Sequence, residues 1–231
     1  MNKRLAILVA TVGATGAAVL AFGASRYTAD HLAVLLTLVV LGALAERYAV
    51  GLFDSHVSVG VIAVLAAGML AGLWGVALVA PPIVLAGQLG DDAAWYKRMY
   101  NVATYLLAGA AFAGCFHAFG PEPAAWPSVL LPALLGTLAN FAVNSGLVAM
   151  AIAVDLDEPL LAAWRRRYLW LLPQYMVVGL VATAAAAAYQ VLGLWGLAVF
   201  AAPAAGIRAA LLQGAPLTVR RRPESELARA A

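Results

Sequence analysis

Residues 57–89 read VSVGVIAVLAAGMLAGLWGVALVAPPIVLAGQL and carry no charged side chain. A helix on the surface of a soluble protein shows an apolar stripe and a polar face. This stretch is apolar at every phase of a helical repeat, so a helix made from it offers no face to water. It is also longer than the ~20 residues needed to cross ~30 Å of hydrocarbon. Near its middle stands Gly72-Leu73-Trp74-Gly75. Two glycines let the backbone reverse with almost no loop, and tryptophan suits the membrane–water boundary. The stretch therefore reads as two apolar segments, Val57–Ala71 and Val76–Leu89, meeting at a tight turn. The alternative is one long bent helix over Val57–Leu89.

The rest of the chain agrees with a membrane solvent. Of 231 residues, 65% are hydrophobic and 11% charged, with a mean hydropathy of +0.91; ordinary soluble domains run at about 45–50% and about 25%. Such a chain lacks the polar surface of a soluble enzyme, the low hydrophobicity of a disordered protein and the dense basic clusters of a nucleic-acid domain. The net charge of +3 reflects scarce acids. The single cysteine, Cys115, excludes an internal disulfide and a cysteine-based zinc site. The fold class is all-α, a polytopic membrane helical bundle. Its eight apolar segments are Leu5–Gly23, His31–Ala45, Val57–Ala71, Val76–Leu89, Val102–Ala118, Val129–Val154, Tyr168–Leu192 and Leu197–Leu212.

The cations test that count. With the N-terminus inside, eight crossings place Lys3, Arg4, Arg47, Lys97, Arg98, Arg165, Arg166, Arg167, Arg220, Arg221, Arg222 and Arg229 on the inner side, with Arg208 near the inner end of the last segment. Only Arg26 falls outside. Cationic loops resist translocation, so this asymmetry sets both termini in the cytoplasm of an inner-membrane protein. A rival for the first segment is a cleaved secretory signal ending near Ala21-Phe22-Gly23-Ala24. Its apolar run exceeds the usual 7–15 residues of such a signal, which favours a retained span.

Gly72-Leu-Trp-Gly-Val-Ala-Leu-Val-Ala-Pro-Pro82 recurs 121 residues later as Gly193-Leu-Trp-Gly-Leu-Ala-Val-Phe-Ala-Ala-Pro203. Two halves of the membrane domain 1–212, at 1–92 and 93–212, would then form parallel four-segment repeats. The other explanation is convergence of two hairpins on a good turn. Gly13 and Ala17, Gly68 and Gly72, Gly109 and Ala113, and Ala110 and Gly114 stand four apart, a spacing that lets membrane helices approach closely. Two inner connectors, Trp95-Tyr-Lys-Arg98 and Trp164-Arg-Arg-Arg167, read as interfacial anchors, with Leu160, Leu161 and Trp164 toward the headgroups. Residues 213–231 read as a disordered basic cytoplasmic tail.

Polar residues inside a membrane are costly, and each asks for a reason. Asn140 and Asn144 share one face near mid-depth, with Ser145 beside them. Gln174 and Tyr175 follow Pro173, which as an interior helix proline would free a carbonyl one turn earlier. Asn101, Thr104 and Tyr105 open the fifth segment. Asn101, Asn140, Asn144, Gln174 and Tyr175 are the candidate ligand-binding residues, with Glu46 within range of the same cytoplasmic half. The alternative role is interhelical hydrogen bonding, worth under ~1–2 kcal/mol each. His31, His56 and His117 form no spaced pair, so no metal, haem or other cofactor is expected. Asp54 and His56 share a short inner loop and would bond each other. No phosphate-binding loop occurs, which excludes self-powered pumping, and no mid-depth acid or lysine supports proton coupling.

His56-Val-Ser-Val-Gly-Val-Ile-Ala-Val-Leu-Ala-Ala with Gly72-Leu-Trp-Gly, Tyr100-Asn101-Val-Ala, Asn140-Phe-Ala-Val-Asn144, the run from Trp164 to Tyr175, and Gly193-Leu-Trp-Gly-Leu with Pro203 together carry a resemblance. Over about residues 45–210 the chain resembles a family of bacterial integral-membrane input modules that precede HD-type phosphohydrolase or cyclic-dinucleotide-synthase domains. More loosely it is similar to substrate-capture subunits of energy-coupling-factor transporters. The resemblance implies a sensory role, and the positions matching the family's recurring polar residues are Asn101, Asn140, Asn144 and Gln174. No catalytic domain follows here, so output would pass to a separate partner.

The expected function is thus a non-enzymatic sensory or small-ligand-binding membrane module that signals to a cytoplasmic enzyme. The alternatives are a substrate-binding transporter subunit served by a separate ATPase, and a structural subunit of a membrane complex. The expected partners are the lipid bilayer, that enzyme or ATPase, and a second copy in a homo-oligomer, with no nucleic acid.

Overall fold

The computed structural model describes residues 3–47, 60–90, 94–120 and 127–197, all within the unit Met1–Leu197. The described residues are helical, with no strand among them. In order they form α1 (Lys3–Ser25), α2 (Leu32–Arg47), α3 (Gly60–Gly87), α4 (Trp95–Phe119), α5 (Leu130–Leu156), α6 (Leu160–Arg167), a 3-10 turn (Leu169–Leu171) and α7 (Leu172–Leu192). Five stretches have the length and composition to cross a membrane, α1, α3, α4, α5 and Leu160–Leu192, α3 only when its two arms are counted together. Large apolar side chains stand exposed around them, among them Ile7, Leu36, Val40, Leu131 and Val177. An apolar outer surface of that extent is the build of a membrane-embedded bundle. The first seven expected segments fall on described helices, whereas Leu197–Leu212 and the tail 213–231 lie almost wholly outside the described residues, as does the Asp54–His56 loop.

Helix α3 is the centre of the bundle, and it is folded on itself. Ala71 (φ −135°, ψ 15°) and Gly72 (φ 57°, ψ −142°) leave the helical region. The two arms then run back alongside each other: a Cβ placed on Gly60 would lie 2.6 Å from Ile83 Cγ2, and one on Gly68 would lie 3.3 Å from Val76 Cγ2. In one long helix Gly60 and Ile83 would be ~34 Å apart at ~1.5 Å per residue. The bent single helix is therefore replaced by an antiparallel hairpin. Only glycine adopts the Gly72 backbone without strain. Gly75 is required for a different reason, because its Cα passes against the Ala67 carbonyl.

The second Gly-Leu-Trp-Gly repeats this turn. Gly193 has φ 60° and ψ −144°, and Gly196 passes against the Ala188 carbonyl as Gly75 does against Ala67. The local conformation is shared at the same 121-residue offset seen in the sequence.

The hairpin is sheathed by the other helices. Val34 and Leu35 of α2, Leu65 and Ile83 of α3, and Leu106 and Phe112 of α4 have at most 2% exposure. Phe112 stacks along Phe116, with ring centroids 6.0 Å apart, and fills the space left by Gly68 and Gly136. The α1–α4 crossing sits at Gly16, where a Cβ would meet Ala103 Cα at 2.8 Å. The helix approach expected at Gly13 and Ala17 is not seen among the described residues: a Cβ on Gly13 would meet nothing within 4 Å and Ala17 is exposed. Gly114 likewise faces open space. Small residues are frequent enough here that spacing alone does not mark which of them a neighbour approaches.

Contacts between helix ends sort the charges. Arg4 lies 3.7 Å from Asp157, and the Gly60 amide donates to Glu46 Oε2 at 3.1 Å. These contacts bring the start of α1, the end of α2, the start of α3 and the end of α5 to one end of the bundle. Tyr100, near the start of α4, donates to the Leu147 carbonyl at 2.6 Å on the late half of α5. Lys3, Arg4, Lys97, Arg98 and Arg165–Arg167 thus share one end. At the other end Tyr27 packs edge-on to Trp74, with centroids 5.0 Å apart, and His117 Nε2 lies 3.0 Å from the Gly68 carbonyl oxygen. Arg26 is the described cation at that end.

Candidate functional site

Helix α5 carries the polar residues, and its neighbours decide which of them meet. Asn144 donates through Nδ2 to the Tyr175 hydroxyl of α7 at 2.7 Å. One residue on, Ser145 donates to the Phe141 carbonyl at 2.6 Å and accepts from Trp164 Nε1 of α6 at 2.7 Å. Phe141 lies between the two aromatic rings, 5.0 Å from Tyr175 and 6.1 Å from Trp164 by centroid. Asparagine, serine, tyrosine and tryptophan thus tie α5 to α6 and α7 through neutral hydrogen bonds, a compact alternative to charges in an apolar medium.

One turn deeper, Asn140 is 4% exposed, and its Oδ1 has no partner among the described residues. It faces a cavity of about 10 Å³ lined by Val61, Val64, Tyr105, Ala108, Asn140 and Asn144. That is the room a single water needs. Thr104 stands one turn from Ala108 on the same face of α4, and its Oγ1 is also buried and unpaired. It is the exception among buried hydroxyls: Thr137, Ser145 and Thr183 each donate to the carbonyl four residues back, at 2.6–2.7 Å. An unmatched buried oxygen costs about 1–3 kcal/mol, so Asn140 Oδ1 marks a place where a donor is missing.

Of the five candidates, Asn140, Asn144 and Tyr175 come together, whereas Asn101 and Gln174 lie exposed on the outside of α4 and α7. Glu46 caps the start of α3 through Gly60. Pro173 breaks no helix. It falls in the first turn of α7, after the 3-10 turn, where a missing N–H is harmless. The headgroup face expected on α6 is also corrected: Leu160 and Leu161 are exposed, but Trp164 turns inward to Ser145. Thr104 and Tyr105, noted in the sequence beside Asn101 but not counted among the five candidates, lie at the cavity level, and Trp164, read as an anchor, joins Ser145.

Helix α6 is tethered at its start as well. Arg166 and Arg167 both reach Glu158, at 3.0 and 3.2 Å. Asp157, which ends α5 with φ 53°, is the one non-glycine residue with positive φ among the described residues. The surface helix therefore hangs between a left-handed joint and a 3-10 turn, held by one indole and one carboxylate. Among the described residues no three of His, Cys, Asp and Glu gather as metal ligands. No protein-family model, no curated protein and no solved structure matches the chain.

Proposed function

We propose that the chain is a non-enzymatic, multi-pass inner-membrane protein that acts as a sensory or small-ligand-binding module, with both termini in the cytoplasm. Its candidate site is Asn140, Asn144 and Tyr175, and its output element is α6. One observation carries this reading: Asn144 and Ser145 are chain neighbours, and Ser145 holds the Trp164 indole of α6. A change at the Asn140–Asn144 level therefore has a direct route to the surface helix that bears Arg165–Arg167. A purely structural subunit needs no such link. The cations gathered at one end of the bundle support the orientation, since cationic loops stay cytoplasmic. Output would pass to a cytoplasmic enzyme, as the resemblance to input modules of phosphohydrolases and cyclases implies.

Trypsin tests both the link and the orientation. Trp164→Phe keeps an aromatic ring and removes the N–H donor. Losing a hydrogen bond of ~1 kcal/mol raises the open population of α6 by about fivefold. Cleavage at Arg165–Arg167 in inverted membrane vesicles should accelerate by that factor, while right-side-out spheroplasts stay uncut there. An unchanged rate would remove α6 from the mechanism, and cleavage from the outer face would reverse the topology.

A further inference from the structure

We propose that the cavity between α3, α4 and α5 takes an uncharged, membrane-soluble molecule whose polar head is a hydrogen-bond donor, an alcohol being the simplest member. This rests on the sensory reading above and names the ligand class of that same site.

Charge is the first selector. The cavity is lined by three apolar residues, two asparagines and a tyrosine. An ion brought there would lose its hydration without an opposite charge to replace it, a penalty of several kcal/mol. A neutral head loses far less. Hydrogen-bond polarity is the second. Asn140 Oδ1 is an acceptor with no donor, and Asn144 gives one of its two amide N–H groups to Tyr175. The Thr104 hydroxyl, one turn from Ala108, is likewise unspent. The unmatched Asn140 oxygen calls for a donor, and a hydroxyl supplies one while remaining able to accept. Size and shape are the third. The cavity holds one water-sized group and is partly open, so a small head fits inside while an apolar body would lie outside it. In the resting state a water fits the same place, and a ligand hydroxyl would replace its hydrogen bonds rather than forfeit them.

The test uses the full chain in nanodiscs, with thermal unfolding as the readout and four six-carbon probes: 1-hexanol, n-hexane, hexanoate and hexylammonium. A saturable rise in unfolding temperature is expected with 1-hexanol alone. Asn140→Leu should weaken half-saturation about tenfold, equivalent to ~1.4 kcal/mol. Ala108→Leu, which fills the cavity and leaves Asn140 in place, should abolish the saturable rise even if Asn140→Leu fails to fold. Saturable protection by hexanoate or hexylammonium would overturn the ligand class and leave the sensory reading standing. Equal protection by n-hexane and 1-hexanol, unaffected by Asn140→Leu, would reduce the cavity to an apolar gap. If no probe protects, the inference falls; if the tryptic cleavage rate of Trp164→Phe is also unchanged, the sensory reading falls with it.

Discussion

Replacing Gly75 with valine is expected to abolish recovery of a monodisperse, folded protein. A Cβ at Gly75 would drive into the carbonyl oxygen of Ala67, with the Ala67 carbonyl carbon at 2.8 Å and Ala71 Cβ at 3.1 Å. These neighbours are backbone or are fixed to it, so no rotamer change relieves the clash. Overpacking of an adjustable core costs about 1–3 kcal/mol; here the arms of α3 must separate, and the hairpin is the centre of the bundle. A cost above ~3 kcal/mol is a large part of the ~5–15 kcal/mol that holds a typical domain. Gly13→Val is the control, because nothing lies within 4 Å of Gly13, and its effect should stay within about 0.5 kcal/mol. Size-exclusion profiles in detergent, followed by reversible unfolding of whatever folds, separate the two. Equal stability of both variants would mean that the chain does not fold back at Gly72.

The second large effect is at Phe112. Its ring has 0% exposure and packs against Gly68 and Gly136. In a soluble core Phe→Ala costs about 3–5 kcal/mol, part of it for transfer out of water and part for the cavity left behind. In a bilayer the unfolded reference is itself largely in lipid, so the transfer share shrinks and the lost packing remains. Phe112→Ala should therefore cost about 2–3 kcal/mol in reversible unfolding from mixed micelles. Leu36→Ala, at a side chain 50% exposed on α2, should be near neutral. A loss below ~1 kcal/mol at Phe112 would place the ring outside the packed interior.

Both variants bear on what was legible in the sequence. The hairpin was readable because its signal is local: paired glycines around a tryptophan inside an unbroken apolar run require a reversal, and the dihedrals of Gly72 and Gly193 follow from that. The sorting of cations was readable because a charge at a helix end is conspicuous in a chain with few charges. The inner faces were not readable. In water, polarity tells the outside of a helix from its inside; in lipid both sides are apolar, and the phase is lost. That is why Asn101 and Gln174 looked equivalent to Asn140, and why Gly13 looked as good a contact as Gly16. Trp164 was misplaced for a related reason. A tryptophan before three arginines has every property of a surface anchor, and only the Ser145 hydroxyl, 19 positions away in sequence, turns it inward.

The lengths of the helices have a mechanical consequence. Helix α2 has 16 residues and spans ~24 Å, and the second arm of α3 is no longer, whereas α1, α4 and α5 have 23, 25 and 27 residues and exceed ~30 Å. Among the described residues, α2 and the second arm of α3 are thus shorter than the helices beside them. Lipid chains against the short helices must compress or tilt, at fractions of a kcal/mol per Å. These short helices favour a bilayer whose acyl chains are short, a bias measurable as partitioning between phase-separated bilayers of unequal depth.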